Sequence, residues 1–459
     1  MCPFRRQFPA KRLLICTVSL LLMFGGFYAN HWHVADQRRF LSHARGSESL
    51  VVGRLVRSRQ EGIFSDGALL GAEIPGPDYR RWLTAEQIDH QYAAYLNGET
   101  FARYVPYMSQ NGGQGIVLSW LDRVLPLPPA AKLESFHALT SLLSAVTLTL
   151  VTRWFYDEFG GWTAVVVMVS IVLSQWTTVF GRNLWWTLWA CYLPMVAVMR
   201  SLRNSRASTN RAFAKLGILV FAAMLIKCLV NGYEYITTVL IMVTVPYVYY
   251  GILDRLTARQ FLKGAVAALC GACIAVLMSL VILSFQIGSV QGSVLDGFEH
   301  IVYSWDKRTY GSAAQAGALR STLAVITAYL KGTFLDLNNY LVTSNPVVSR
   351  LVFRVRYLYL LAAFAIMSVV AAWGRPGGSA TQRQRKNNAL VLTTWFSLLA
   401  PLSWYVIFRG HAIAHPHLDH IVWHMPFTLF GFAVCAVGIE RAFALASNRL
   451  TSRLGTIGE

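Results

Sequence analysis

The feature that most restricts this chain is a succession of apolar runs, each long enough to cross a bilayer, separated by short basic stretches. A helix needs about twenty apolar residues to span the ~30 Å hydrocarbon layer. The first run is Leu13 to Ala29; others lie near 134–152, 162–180, 184–200, 214–230, 233–252, 262–285, 356–374, 389–408 and 421–440. Only helices and closed barrels satisfy their backbone polar groups in lipid. The pattern therefore predicts an all-α polytopic membrane protein of about ten transmembrane helices. Composition agrees, because only 14% of the residues are charged, against about 25% in soluble domains.

The net charge of +19 would suit nucleic acid, but its distribution argues against that partner. Basic residues cluster in short stretches between apolar runs, as cytoplasmic loops do. Arg5, Arg6, Lys11 and Arg12 precede the first run, and no small-x-small cleavage site follows it. An uncleaved first helix with a cytoplasmic N-terminus is expected. Threading the runs alternately puts Arg200 to Lys215, the stretch with Arg255, Arg259 and Lys263, Arg375 to Lys386, and the tail with Arg441, Arg449 and Arg453 in the cytoplasm. Both termini are then cytoplasmic, in an inner membrane. The expected organisation is 1–29, cytoplasmic N-terminus and first span; 30–132, a first outer loop with amphipathic helices; 133–285, spans two to seven; 286–355, a second outer loop; and 356–459, the last three spans and a cytoplasmic tail. Both long loops are rich in Trp, Tyr and Gly, which predicts folded elements in the headgroup region. The stretch GRPGGSATQRQRKNN reads as a flexible cytoplasmic linker.

Most of the seven cysteines lie within apolar runs. Cys270 and Cys273 form a CxxC in a membrane helix with no second pair nearby, so packing is the expected role.

In the first outer loop, Leu50, Val51, Leu55 and Val56 recur at helical spacing, with Arg54, Arg57 and Arg59 on other faces. This predicts a basic amphipathic helix on the membrane surface, opened by Ser47 and Glu48 and closed by Gly62. The segment resembles the GT-C glycosyltransferases, membrane enzymes that use polyprenyl-phosphate-linked sugars. Members have an acidic residue or pair opening the first outer loop, an amphipathic helix, and a glycine about fourteen residues on, the separation of Glu48 and Gly62. Large loops after the first and seventh spans also match that architecture. Ser47 stands where the family usually has its first acidic residue, so Asp66 and Asp36 compete with Glu48.

The resemblance implies transfer of a sugar from a polyprenyl-phosphate donor to a glycan, lipid or protein acceptor outside the membrane. Glu48 and Asp66 are the candidate catalytic carboxylates, able to take or orient an acceptor proton. Cations neutralise the departing phosphate, a task suited to the guanidinium fork. Arg54, Arg57 and Arg182 are candidates. Lys227 and Glu234 flank KCLVNGYEY between the fifth and sixth runs and form either a structural pair or part of a substrate site. In the second outer loop, Trp305, Lys307 and Arg308 suit a glycan or lipid phosphate, or a membrane-surface segment. Arg409, His411 and His415 belong to a stretch with five histidines in fourteen residues. Pyrophosphate or sugar contacts, interfacial structure and a divalent metal such as zinc are the alternatives there; no cofactor is assigned. Tyr107 to Gly115 is a glycine-rich polar turn that reads as a plain loop, with a backbone N–H cradle for phosphate or sugar as the alternative. An O-antigen polymerase or ligase, and a transporter or flippase, are competing functions; the latter predicts broken helices around a midplane site.

Overall fold

The computed structural model describes residues 9–74, 83–204, 210–309, 318–336, 354–373 and 381–455. The first apolar run forms α1 (Pro9–Ala29). A long loop follows with α2 (Gln37–Ser42), α3 (Arg45–Glu61), α4 (Ala85–Asn97) and α5 (Gly113–Val124). The bundle continues with α6 (Pro129–Phe159), α7 (Gly161–Val172), α8 (Gln175–Gly181), α9 (Leu188–Asn204), α10 (Asn210–Asn231), α11 (Ile236–Leu253) and α12 (Ala258–Gln291). The second long loop holds α13 (Val294–Thr309) and α14 (Ala318–Leu330). Last come α15 (Tyr357–Ala372), α16 (Gln382–Ser397), α17 (Leu399–Ile407), α18 (Arg409–Ala414) and α19 (Phe427–Gly455).

Among the described residues, seven helical stretches are long and apolar enough to cross a membrane, or eight if the α7–α8 pair counts as one. That pair corrects the straight third span expected at 162–180. It bends by 69°, where Ser174 caps α8 by accepting from the Thr177 N–H. The Ser174 hydroxyl also lies 3.0 Å from His424 Nε2, pinning the break to the turn before α19. α9, at 17 residues, and α15, at 16, are not among those seven. The linker expected at 374–388 lies outside the described residues as far as 380, and from Gln382 onward it is helix.

Ion pairs gather one end of the bundle. Asp157, at the end of α6, pairs with Arg12 of α1 at 2.7 Å and with Arg203 of α9. Next to it, Glu158 takes Lys386 of α16 at 3.0 Å. The N-terminal ends of α1 and α16 thus meet the C-terminal ends of α6 and α9, as alternate threading requires.

The long loops cover the opposite end. In the first, β1 (Gly71–Glu73) pairs antiparallel with β2 (Tyr104–Pro106). α3 lies so close against this ribbon that a Cβ on Gly53 would stand 2.2 Å from the Gly71 carbonyl oxygen. Asp122 of α5 ties the loop together, accepting a two-pronged bond from Arg59 (2.6 and 2.8 Å) and one from Tyr95 (2.7 Å). In the second, β3 (Thr333–Asp336) pairs with β4 (Arg354–Arg356).

α3 does not lie on the surface as its pattern suggested. Residues 48–56 are all buried, Arg54 included. The apolar positions face a core made by β1, α4 and α5 rather than lipid, and the helix ends at Gly62, whose φ of 103° no L residue adopts readily.

Candidate functional site

Glu48 stands in the first turn of α3, buried, and its carboxylate reaches three other elements. One oxygen accepts from the Tyr92 hydroxyl of α4 at 2.9 Å, and the other from the Leu184 N–H at 3.0 Å. His137 of α6 places Nε2 3.5 Å from the first oxygen. Its Nδ1 lies 3.2 Å from the Arg182 carbonyl oxygen. A carbonyl can only accept, so Nδ1 carries a proton. Nε2 can therefore also donate to Glu48 only when the ring is an imidazolium. A carboxylate offers about four acceptor positions, so two donors leave Glu48 capacity for another partner.

Glu48 faces a cavity of roughly 190 Å³ that it shares with His43, Arg45, Tyr92, Glu134, His137, Arg182 and Asn183. Arg45 is bound to Asp89 at 2.5 Å and lies over the Tyr92 ring. Arg182 reaches Glu134 only at 3.9 Å, beyond hydrogen-bond distance, and packs over Phe40. His43 packs against Phe180 and Trp176. Burial first, then Arg39 and His417, push its pKa down to about 3, so the ring is neutral. Asn183 shapes the wall: its side-chain oxygen accepts from the N–H groups of Trp185 and Trp186, curling residues 182–187 into a tight turn.

A second cluster lies beyond that turn. Glu234 is buried between α10 and α11, with Arg308 3.1 Å from one carboxylate oxygen and His411 Nε2 3.6 Å from the other. On its far side His411 donates from Nδ1 to Asp419 at 3.0 Å, and Asp419 also accepts from Trp404 at 2.9 Å. Burial works against the charged form of His411. The Asp419 charge and hydrogen bond, then Glu234, outweigh burial and an opposing Arg308, so the pKa lies above the ordinary histidine value. The His415 ring packs 4.4 Å from that of His411 at a 47° tilt, and burial and that neighbour lower its own pKa to about 4. Tyr107 joins the two clusters, since its ring packs on Trp185 and its hydroxyl lies 3.4 Å from Arg308.

The thirteen candidates therefore separate. Glu48 and Arg182 share the cavity, whereas Glu234, Arg308, His411 and His415 form the second cluster. Lys227 supports it differently from the side-chain pair considered above. Its ammonium donates to the carbonyls of Gly232 and Glu234, both at 2.7 Å, and so caps the α10–α11 turn. Asp66 sits roughly 14 Å farther along α3, beside Arg57, at 1.5 Å per residue; the two bond at 2.7 Å. It does not converge with Glu48. Arg54 points inward and donates to the carbonyls of Gly62, Ile63 and Ser65, which fixes the loop after α3 and leaves it no phosphate-binding role. Trp305 is half exposed against Phe408, Lys307 is exposed, and Arg409 opens α18. The histidines are likewise divided: His420 stacks on Trp176, and His424 is enclosed by Ser174, Tyr357 and Thr428. Among the described residues, no group of three or more His, Cys, Asp or Glu side chains is placed to hold a metal ion.

His43, Tyr92, His137 and Asp419 were not singled out from the sequence. His137 carried a usable signal, as an ionisable side chain inside an apolar span. His43 and Tyr92 depend on contacts between distant segments, whereas Asp419 lies only eight residues from His411 within the histidine-rich stretch. No protein-family model, curated protein or solved structure matches the chain.

Proposed function

We propose that this chain is a ten-span inner-membrane glycosyltransferase of the GT-C type, with both termini in the cytoplasm. It moves a sugar from a polyprenyl-phosphate donor to a glycan, lipid or protein acceptor on the outer face. The observation that carries this reading is the Glu48 cavity of roughly 190 Å³, which a buried carboxylate and His137 line together with Arg182 and Arg45. Such a pairing supplies both halves of the reaction. Glu48, with His137 beside it, takes or orients the acceptor hydroxyl proton while the acceptor oxygen bonds to the anomeric carbon. The bond from that carbon to the phosphate oxygen breaks, and the arginines receive the charge left on the phosphate. The positive-inside rule supports the orientation, because Arg12, Arg203 and Lys386 mark the other end of the bundle. In this reading the Glu234–Arg308–His411 cluster holds the second loop beside the cavity.

Arg182→Ala tests the donor half. Lipids that co-purify with the wild-type chain are expected to include a polyprenyl phosphate or its sugar adduct, and the variant is expected to lose it while keeping bulk phospholipid. Bulk phospholipid alone in both preparations would refute the assignment. One observation favours a transporter as second reading: the α7–α8 break is a discontinuous helix of the kind that builds transport sites. Solute uptake altered by Arg182→Ala, with lipid content unchanged, would select it.

A further inference from the structure

α13 carries three faces. At about 100° per residue, Gly297, Ile301 and Arg308 fall on one side, turned toward the bundle. A Cβ on Gly297 would stand 2.4 Å from the Ser284 carbonyl oxygen of α12. Ile301 packs on the small cluster of Leu69, Leu283 and Ile287, and Arg308 reaches Glu234. The next side bears Leu295, Phe298, Val302 and Trp305, exposed at 65, 42, 62 and 51%. Of these four, Trp305 meets the Phe408 ring edge-on and still keeps half of its surface exposed. The third side holds Asp296, Glu299, Asp306 and Lys307, all exposed.

The depth of α13 along the bundle identifies what meets the apolar side. α12 begins beside two basic residues, Arg259 and Lys263. From there ~30 Å of hydrocarbon takes about twenty residues at 1.5 Å each, which ends the apolar layer close to Leu283. α13 turns back onto α12 at this level, with Gly288 against Val294 and Gly297 against Ser284. α12 itself carries an exposed apolar stripe up to this level, with Leu277, Val281 and Phe285 exposed at 62, 43 and 60%.

We propose that α13 is an interfacial helix whose Leu295–Phe298–Val302–Trp305 face is seated in the bilayer leaflet at the loop-covered end of the bundle. Its acidic and Lys307-bearing side meets water, and the Arg308–Glu234 ion pair anchors its C-terminal end to the protein. A hydrocarbon boundary at this depth suits a helix with adjoining apolar and charged sides. The inference does not rest on the glycosyltransferase reading, only on the bundle spanning a membrane.

Single cysteines introduced into the full-length chain test it, with the parent chain and its seven cysteines setting the background. Leu295→Cys and Val302→Cys probe the apolar side, and Asp296→Cys and Lys307→Cys the water side. All are reacted with a membrane-impermeant maleimide in unsealed membrane fragments, where water reaches both surfaces. The expected result is labelling roughly tenfold slower on the apolar side, equalised when the protein is unfolded in SDS. Similar rates on the two sides, whether fast or slow, would overturn the proposal. So would slow labelling accompanied by intermolecular disulfides through Val302→Cys, because a second copy of the chain would then cover the face.

Discussion

Arg54→Met separates a buried scaffold arginine from a phosphate ligand. Arg54 has no exposed surface, and its guanidinium donates to three backbone carbonyls at 2.7–2.9 Å as well as to the hydroxyls of Ser58 and Ser65. Methionine fills similar volume without a donor, so the carbonyls of Ile63 and Ser65 lose their partner, whereas that of Gly62 keeps the Ser65 N–H and hydroxyl. Orphaning a buried polar group costs about 1–3 kcal/mol. These two carbonyls are only partly enclosed, so about 1–2 kcal/mol each gives a loss of about 2–4 kcal/mol. At about 2 °C per kcal/mol, the lower end for larger domains, the apparent Tm of the detergent-solubilised chain should fall by about 4–8 °C. Arg57→Met serves as control. Its partners Glu61 and Asp66 are partly exposed, and such pairs contribute under about 1 kcal/mol. A Tm for Arg54→Met within about 1 °C of wild type, or equal to that of Arg57→Met, would refute the reasoning.

Two further outcomes follow from the geometry. His411 has a raised folded pKa, so its contribution is complete below the unfolded histidine pKa and disappears as pH rises through the folded value. The Tm difference between wild type and His411→Gln should therefore shrink on going from about pH 6 to about pH 9, and a constant difference would contradict the bracketing by Asp419 and Glu234. Gly53→Ala forces its new methyl against the Gly71 carbonyl and should lower stability by about 1–3 kcal/mol; a neutral effect in a denaturation series would show that β1 yields freely.

The membrane body was legible because hydropathy and loop charge act locally: α1, α6, α10, α11, α12 and α19 fall on the runs read from the sequence. Boundaries moved where helices extend past the lipid, as α12 does to Gln291. The break between α7 and α8 escaped because the Ser174–His424 contact that pins it joins residues 250 positions apart. α3 was misplaced for a similar reason. A stripe of Leu and Val looks the same whether it meets lipid or the β1–α4–α5 core, and nothing near Arg54 in the chain announces that its guanidinium will turn inward. Glu48 was found through its place opening a helix in the first loop, whereas its partners Tyr92, His137 and Leu184 come from three other segments.

The central claim is that Glu48 acts on a lipid-borne sugar, and a comparison of Glu48→Gln with Asp66→Asn tests it most directly. Each variant replaces the native protein in its host, and surface glycans and lipid-linked sugars are profiled at matched protein levels. Glu48→Gln is expected to lose one glycan and to accumulate its polyprenyl-linked precursor, while Asp66→Asn keeps the wild-type profile. An unchanged glycan profile in Glu48→Gln, or loss in Asp66→Asn alone, would contradict it.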